Sequence, residues 1–198
     1  MTAQQQGLAP VAGPHTWLLV LGSFPGVASL RAQQYYGHAR NQFWPLMAEV
    51  VGEPLPGMDY AERLARLQTH DVGLWDVITQ ARREGSLDSS IRAHVGSDLL
   101  SLIARLPRLS VVAFNGATAA RIGLRQLGET AGRYTIVRLP SSSPAYTLDY
   151  AQKRLAWLQL RDLVCATRIM GDSRQPPLSG IHEQEQENRV GPGHIVRI

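Results

Sequence analysis

The chain has 198 residues, the length of one ordinary domain, and 44% of them are apolar, which is enough to bury a core. Its formal net charge of +4 favours a polyanionic partner without establishing one. The single cysteine, Cys165, excludes an intramolecular disulfide and an iron-sulfur cluster held by this chain alone. We therefore expect the protein to be located in the reducing environment of the cytoplasm. The first residues lack the pattern of a secretory signal peptide, in which basic residues are followed by an apolar stretch. No apolar run approaches the roughly 20 residues that a membrane-spanning helix needs. We therefore expect neither secretion nor membrane insertion.

Both ends of the chain are poor in clustered apolar residues. Residues 1–14 are rich in Gln, Gly and Pro, and the end from about residue 167 mixes Pro, Gly, Gln and Glu. Neither end can offset the entropy cost of its ordering by burying apolar surface. We expect a flexible segment over residues 1–14, a folded domain over 15–166 and a disordered tail over 167–198.

The first half of the domain alternates strand patterns with helix patterns. Residues 17–22 (WLLVLG) are continuously apolar, which is typical of a parallel strand covered on both faces. Residues 41–51 carry apolar side chains at helical spacing, with Pro45 tolerable only in the first turn. Asp59 is placed to cap a further helix, and residues 72–78 (VGLWDVI) predict a second strand.

The second half repeats the alternation. Ser97 or Asp98 opens a helix pattern, and residues 109–116 (LSVVAFNG) predict a third strand. Residues 134–140 (YTIVRLP) predict a fourth strand before a closing helix over 148–164. This order predicts a three-layer α/β/α sandwich with a central, mostly parallel four-stranded sheet.

Four loops follow the predicted strands, at residues 22–26 (GSFPG), 76–79, 115–116 and 139–146 (LPSSSPAY). The carboxyl ends of parallel strands meet at one edge of a sheet, so we expect these loops to converge on a ligand site. They offer small residues, backbone amides and hydroxyls, which suit a closely approaching ligand such as a phosphate. For any one loop alone, an ordinary well-formed turn is the alternative.

Common catalytic motifs are missing from these loops. There is no G-x-x-x-x-G-K-[ST] phosphate loop, no G-x-G-x-x-G after the first strand and no H-E-x-x-H zinc pair. The serine of GSFPG is second rather than central, unlike that of a nucleophile elbow. A serine hydrolase using Ser23 or the triple serine would also need a histidine after the last strand, and none is convincingly placed there.

Four segments in this order resemble the uracil-DNA glycosylase superfamily, over roughly residues 17–165. They are GSFPG, YYGHARNQFW at 35–44, REGSLDSSI at 83–91 and LPSSSPA at 139–145. Within the superfamily these segments, with Phe24 in the first, look most like the hypoxanthine-DNA glycosylase branch, which acts on deoxyinosine. One departure is Ala39, where the family commonly has proline. The resemblance implies a base-flipping enzyme of base excision repair, without metal or organic cofactor, that hydrolyses the N-glycosidic bond of deoxyinosine, releases hypoxanthine and leaves an abasic site.

The resemblance places the catalytic role on Asn41. In most of the superfamily an Asp, Glu or Asn of the first loop handles the water, whereas Phe24 has no hydrogen-bond donor or acceptor. The Asn41 amide would hold the water or orient the sugar, which suffices where the departing purine and the oxocarbenium-like sugar are stabilised. Capping of the following helix without catalysis is the alternative for Asn41.

The resemblance implies base-binding roles for Ser23, Phe24, Tyr36 and Asp76. Tyr36 aligns with the aromatic residue that stacks on the extruded base in mismatch-specific relatives, and ordinary core packing is its alternative. Asp76 lies near the position that reads the base edge in relatives. It would accept a hydrogen bond from hypoxanthine N1–H or, if protonated, donate one, and a structural role is the alternative.

DNA contacts are implied for the serine-rich loop and for the segment before Asn41. The candidates are Ser141, Ser142, Ser143, Pro144, Ala145, Tyr146, His38 and Arg40. The loop would insert into the duplex behind the extruded nucleotide, with Tyr146 as the larger wedge. Ser141 stands where the family has His or Asn, and a structural role is the better interpretation of His38.

The scarcity of lysine bears on the chemistry. Lys153, the only lysine, falls in the predicted closing helix, and we expect it to lie away from the loops. A Schiff base with the sugar would then lack its amine, which predicts a monofunctional enzyme. We expect a monomer acting on DNA that contains a deaminated base. A mismatch-specific uracil/thymine-DNA glycosylase and a non-catalytic DNA-binding relative are the alternatives.

Overall fold

The structure, a computed structural model, describes residues 4–83 and 91–172. The strands are β1 (Gln5–Gln6), β2 (Leu18–Gly22), β3 (Val72–Asp76), β4 (Ile78–Arg83), β5 (Ile91–Gly96), β6 (Val111–Asn115) and β7 (Thr135–Leu139). The α-helices are α1 (Val27–Ala32), α2 (Phe43–Val51), α3 (Tyr60–Thr69), α4 (Leu99–Ile103), α5 (Ala117–Leu127) and α6 (Tyr150–Asp172). Short 3-10 helices occur at Leu55–Gly57 and Gly128–Arg133.

The central sheet is parallel, with the strand order β3–β2–β6–β7. Leu18 of β2 pairs with Val72 of β3 and with Val111 of β6, and Val111 pairs in turn with Thr135 of β7. Every residue of β2, β3 and β6 is buried, as continuous apolar strands in the middle layer of a sandwich require. The four predicted strands and the α/β/α architecture are confirmed.

Aspartates begin two of the helices. The Asp59 carboxylate accepts a hydrogen bond from the Glu62 backbone N–H at 2.8 Å at the start of α3. Asp98 accepts one from the Ser101 N–H at 3.1 Å at the start of α4. Of the two predicted caps for that helix, Asp98 rather than Ser97 therefore supplies the side-chain acceptor.

Helices α2 and α6 pack against each other beside the sheet. The ring of Phe43, the first residue of α2, meets the Trp157 ring edge-on with centroids 5.8 Å apart. At the exposed rim, Arg154 of α6 pairs with Glu49 of α2 at 2.9 Å. This packing brings the beginning of α2, next to Asn41, against the first turns of α6.

A second, antiparallel sheet with the order β1–β4–β5 was not predicted. The β4–β5 pairing shifts register between Ile78 and Gln80 and again between Gln80 and Arg82. These irregularities break the period-2 alternation by which a hairpin would be detected in the sequence.

Part of the predicted flexible segment over residues 1–14 makes backbone hydrogen bonds with the rest of the domain. The Gly7 N–H donates to the Thr79 carbonyl at 2.6 Å, and Val11 and Leu74 exchange backbone hydrogen bonds of 2.9 and 2.8 Å. The Val11 bonds use the outer edge of β3, where backbone groups would otherwise lack partners, and the Gly7 bond reaches β4. The composition of the segment does not reveal these long-range backbone partners.

Some predictions fall on residues that the structure does not describe. Residues 1–3, residues 84–90 within the REGSLDSSI segment, and the predicted tail beyond residue 172 lie outside the described residues. Across the described ranges, no helix combines the length and the apolar character needed to cross a membrane.

Candidate active site

The four predicted loops converge on one cleft at the carboxyl edge of the parallel sheet. The cleft has a volume of about 1110 Å³, above the roughly 300–1,000 Å³ of pockets that hold small ligands. Every predicted site residue lines it: Ser23, Phe24, Tyr36, His38, Arg40, Asn41, Asp76, Ser141, Ser142, Ser143, Pro144, Ala145 and Tyr146.

The floor of the cleft is formed where β2 and β3 end side by side. Gly22 pairs with Asp76 in the sheet register, and the Asp76 side chain is only 5% exposed. A Cβ at Gly22 would collide with Asp76 Oδ1 and would lie 3.3 Å from the Tyr36 hydroxyl. Glycine is therefore needed at position 22 because a carboxyl and a phenol crowd against its backbone.

The Tyr36 ring stands between the core and the cleft. It stacks on Phe43 with centroids 3.6 Å apart and an interplanar angle of 14°, and Tyr36 also lines the cleft. Burial, reinforced by the nearby Asp76 carboxyl, raises the pKa of the Tyr36 phenol, so its proton stays in place; Asn115 is a further polar neighbour. Core packing is thus part of the role of Tyr36, and the ring is held rigidly at the cleft wall.

Asn41 lies one residue before Gln42, the N-cap residue of α2, and it lines the cleft. Its Oδ1 accepts a hydrogen bond from the Phe43 N–H, the first N–H of α2, at 3.0 Å, so the side chain supports the start of the helix although the N-cap position is occupied by Gln42. That bond fixes which amide atom is oxygen, because only the oxygen can accept. The oxygen retains a second lone pair and the amide nitrogen retains its protons, so this bond leaves the group able to bind a water.

The turn before Asn41 is closed by His38. The His38 carbonyl accepts from the Asn41 N–H at 2.8 Å, and its Nδ1 accepts from the Arg40 N–H at 3.1 Å. The structural interpretation of His38 is supported by these bonds. Because Nδ1 accepts, a neutral His38 carries its proton on Nε2, on an exposed side chain.

The loop over residues 140–146, here called the serine loop, turns its carbonyl groups inward. Trp157 Nε1 donates to the Pro140 carbonyl at 3.0 Å, and the Gln42 N–H donates to the Ser142 carbonyl at 3.0 Å. Asn115 clamps Ser142 twice: its Nδ2 donates to Ser142 Oγ at 2.8 Å and its Oδ1 accepts from the Ser142 N–H at 2.8 Å. The acceptor oxygens of this loop are therefore largely withdrawn from the cleft.

The serine hydroxyls of this loop differ in whether they are available to bond to a ligand. Ser141 Oγ accepts from the Ser143 N–H at 3.2 Å, and Ser143 Oγ accepts from the Ala145 N–H at 3.2 Å. A hydroxyl that accepts from an N–H still has its own proton to donate. Ser142 is fully buried, so the expected direct contact of its side chain with DNA is not supported, and its hydroxyl serves the Asn115 clamp instead.

Comparison with known proteins identifies the fold. The sequence profile of the Uracil DNA glycosylase superfamily matches residues 10–162. The chain belongs to the uracil DNA glycosylase superfamily. A solution NMR structure of a candidate uracil DNA glycosylase from Methanosarcina acetivorans superimposes with a TM-score of 0.71 at 35% identity, covering 82% of this chain and 99% of that chain.

Two relatives of this glycosylase superfamily member carry a more specific name. A hypoxanthine DNA glycosylase of Methanosarcina barkeri is 35% identical over 158 residues, 79% of this chain and 97% of that protein. A hypoxanthine DNA glycosylase of Methanosarcina acetivorans is 39% identical over 143 residues, 71% of this chain and 87% of that protein.

Among the lining residues of the glycosylase cleft that were not predicted as site residues, three have an amide or guanidinium side chain: Asn115, Arg121 and Arg138. Asn115 ends β6, and its position in a strand-end loop was the signal that could have identified it. Arg121 on α5 and Arg138 on β7 are exposed and line the same cleft. With Arg40, they surround the cleft with cationic side chains contributed by three different segments, a positive rim that suits a polyanion.

The prediction that Lys153 lies away from the loops is wrong. Its Nζ lies directly beneath the serine loop and donates to the Tyr146 carbonyl at 2.8 Å. Lys153 is nevertheless not among the residues that line the cleft. Within residues 4–83 and 91–172, no three His, Cys, Asp or Glu side chains are grouped so as to hold a metal ion.

Proposed function

We propose that this superfamily member is a DNA glycosylase that hydrolyses the N-glycosidic bond of deoxyinosine in DNA. It releases hypoxanthine and leaves an abasic site, as a step of base excision repair. The observation that carries the proposal is the meeting of Tyr36, Asn41 and Asp76 in one cleft beside the serine loop. The two relatives named hypoxanthine DNA glycosylase support the choice of base.

The floor of the cleft offers a selective contact for the base. Hypoxanthine carries a hydrogen on N1, and a carboxyl oxygen of Asp76 accepts a hydrogen bond from it. Adenine presents a bare N1 lone pair at the same place, so two acceptors would face each other there. A buried mismatch of this kind is costly because neither group can turn to water. Tyr36, backed by Phe43, provides the face on which the extruded base stacks, and Phe24 is an apolar part of the wall.

The hydrolysis relies on positioning more than on proton transfer. The C1′–N9 bond breaks with its electron pair passing to the purine, while the sugar acquires oxocarbenium character. A water held by Asn41 adds its oxygen to C1′, and the proton it loses is balanced by protonation of the departing hypoxanthine. An amide is a weak base but an effective holder of water, and aligned reactants remove much of the entropic cost.

The serine loop and the cationic rim bind the DNA around the lesion. The hydroxyls of Ser141 and Ser143 donate to phosphate oxygens, and Arg40, Arg121 and Arg138 neutralise phosphates. Tyr146, 47% exposed at the end of the loop, fills the space that the flipped nucleotide leaves. We infer that one monomer engages one lesion.

The test uses matched duplexes that contain one deoxyinosine, one deoxyuridine or one deoxyadenosine. After incubation, alkali cleaves the strand wherever a base has been released. We expect cleavage at deoxyinosine and none at deoxyadenosine. Release of uracil alone would overturn the choice of base, since uracil also offers an N–H to Asp76. Salt-sensitive DNA binding without any base release would instead favour a non-catalytic relative.

A second measurement addresses the strand-cutting step. Lys153 donates to protein oxygens beneath the serine loop, so no lysine amine is directed at the sugar. We expect borohydride reduction during the reaction to trap no covalent enzyme–DNA adduct, whereas a trapped adduct would contradict monofunctional hydrolysis.

A further inference from the structure

The single lysine is buried at a junction of three elements. Lys153, in the first turns of α6, is 1% exposed. Its Nζ donates to Gln42 Oε1 at 2.9 Å, to the Tyr146 carbonyl at 2.8 Å and to the Ser143 carbonyl at 3.4 Å. The first acceptor immediately precedes α2, and the other two belong to the serine loop, so one ammonium group joins both to α6.

All three acceptors are uncharged, which makes the lysine costly to bury. None of the ion pairs in the described part of the chain includes Lys153, and burial lowers the pKa of its ammonium group. Removing a cation from water without a counter-ion costs free energy that an apolar side chain of similar length would not. A side chain that only filled space at this position would not need to be charged.

The chemistry of the junction suits lysine rather than arginine. An ammonium group is compact and directs three N–H bonds in different directions, whereas a guanidinium group is a planar fork. The Nζ also lies 5.5 Å from the centroid of the Tyr146 ring, a distance at which a cation is attracted to an aromatic face. Lys153 thus holds both the backbone and the ring at the far end of the serine loop.

The junction leads directly to Asn41. Gln42 is its chain neighbour, and besides accepting from Lys153 it donates its backbone N–H to the Ser142 carbonyl at 3.0 Å. Gln42 therefore connects the serine loop with Asn41 in two ways. Its backbone bonds to the loop directly, and its side chain bonds to the loop through Lys153.

We propose that Lys153 is a positioning residue that fixes the serine loop relative to Asn41, so that the loop inserted into DNA and the amide at the reacting sugar keep one geometry. The inference rests on the proposed function for the roles of loop and amide. Displacements of about an ångström at a reacting centre can cost on the order of 100-fold in rate. Loss of the link therefore slows bond cleavage more than it weakens DNA binding.

The main test compares Lys153→Met with Arg154→Met on a deoxyinosine duplex. Arg154 is the next residue on the same helix and also bonds to α2, but its hydrogen bond and ion pair are made with Glu49 and not with the serine loop. We expect Lys153→Met to lower the single-turnover rate at saturating DNA at least about tenfold, with a smaller change in DNA affinity. Arg154→Met should stay within about twofold of the parent rate, because exposed ion pairs contribute little. A folded Lys153→Met with a rate within about twofold of the parent would overturn the proposal.

Substitutions at Gln42 keep the proposal testable if Lys153→Met does not fold. Gln42→Leu removes the acceptor at α2, whereas Gln42→Glu retains an acceptor for the ammonium group. We expect Gln42→Leu to be slowed at least about fivefold relative to Gln42→Glu. Equal rates for the two variants would contradict a link through this side chain.

Hydrogen exchange separates this inference from the proposed function. If the parent protein releases no base from any duplex, the proposed function fails, but the mechanical link can still be measured. We expect Lys153→Met to speed amide exchange both in the serine loop and in the first turn of α2, with no such change in Arg154→Met. Faster exchange confined to the serine loop would overturn the link to Asn41.

Discussion

Replacement of Asn41 by alanine separates its two contacts. The lost bond between Asn41 Oδ1 and the Phe43 N–H satisfies the first backbone N–H of α2, and loss of one such hydrogen bond costs about 1 kcal/mol. For a domain of this size, that corresponds to a fall of about 2–4 °C in the midpoint of thermal unfolding. Loss of the water-holding amide should lower the chemical step by at least roughly 100-fold, about 2.7 kcal/mol of transition-state stabilisation.

The assay combines single-turnover cleavage of a deoxyinosine duplex at saturating enzyme with thermal unfolding and DNA binding. Asn41→Asp is the matched control, because a carboxylate still accepts from the Phe43 N–H and lies favourably at the N-terminus of α2. It should retain the unfolding midpoint of the parent protein. We expect its rate to lie between those of the parent and Asn41→Ala, since it can bind a water but has no amide donor.

One result would remove Asn41 from the catalytic role. If Asn41→Ala unfolds at a lower temperature but cleaves within about threefold of the parent rate, the side chain only supports the start of α2. The DNA affinity of the variant decides whether a slow reaction reflects chemistry or weak capture of the substrate. We expect that affinity to be largely unchanged.

Three other contacts give predictions of their own. Gly22→Ala places a methyl group against Asp76 and should lower the free energy of unfolding by about 1–3 kcal/mol in urea titrations, whereas Gly13→Ala, with open space around its Cβ, should not; equal effects would show that the crowding at Gly22 is relieved cheaply. Arg138→Gln should reduce the slope of log affinity against log salt by about 1, and an unchanged slope would remove this residue from phosphate binding. Because its raised pKa keeps Tyr36 protonated in the folded state while the unfolded chain deprotonates near pH 10.0, the Tyr36 contribution to stability is fully present below that pH and is lost as the pH rises above it. Tyr36→Phe should therefore lose less stability than the parent between neutral pH and pH above 10.0 in unfolding titrations, and parallel pH profiles would contradict the buried phenol.

The sequence allowed prediction of the four sheet strands, of the two aspartate-capped helices and of the loops that form the cleft. These features depend on local signals: continuous apolar runs, helical spacing, cap residues and turn residues. A general rule then places the loops together, since parallel strands present their carboxyl ends at one edge. The resemblance to the superfamily supplied candidate roles for Asn41, Tyr36 and Asp76, which the fold brings into one cleft.

Only the tertiary structure decided which partners these residues have. The clamp between Asn115 and Ser142 joins residues 27 positions apart, and the bond from Lys153 to Gln42 joins residues 111 positions apart. The N-terminal segment likewise finds its backbone partners at the edge of β3 and on β4, which its own composition does not indicate. Hydrogen bonds form only within narrow limits of distance and angle, and no local pattern in the sequence encodes which distant side chain will meet those limits.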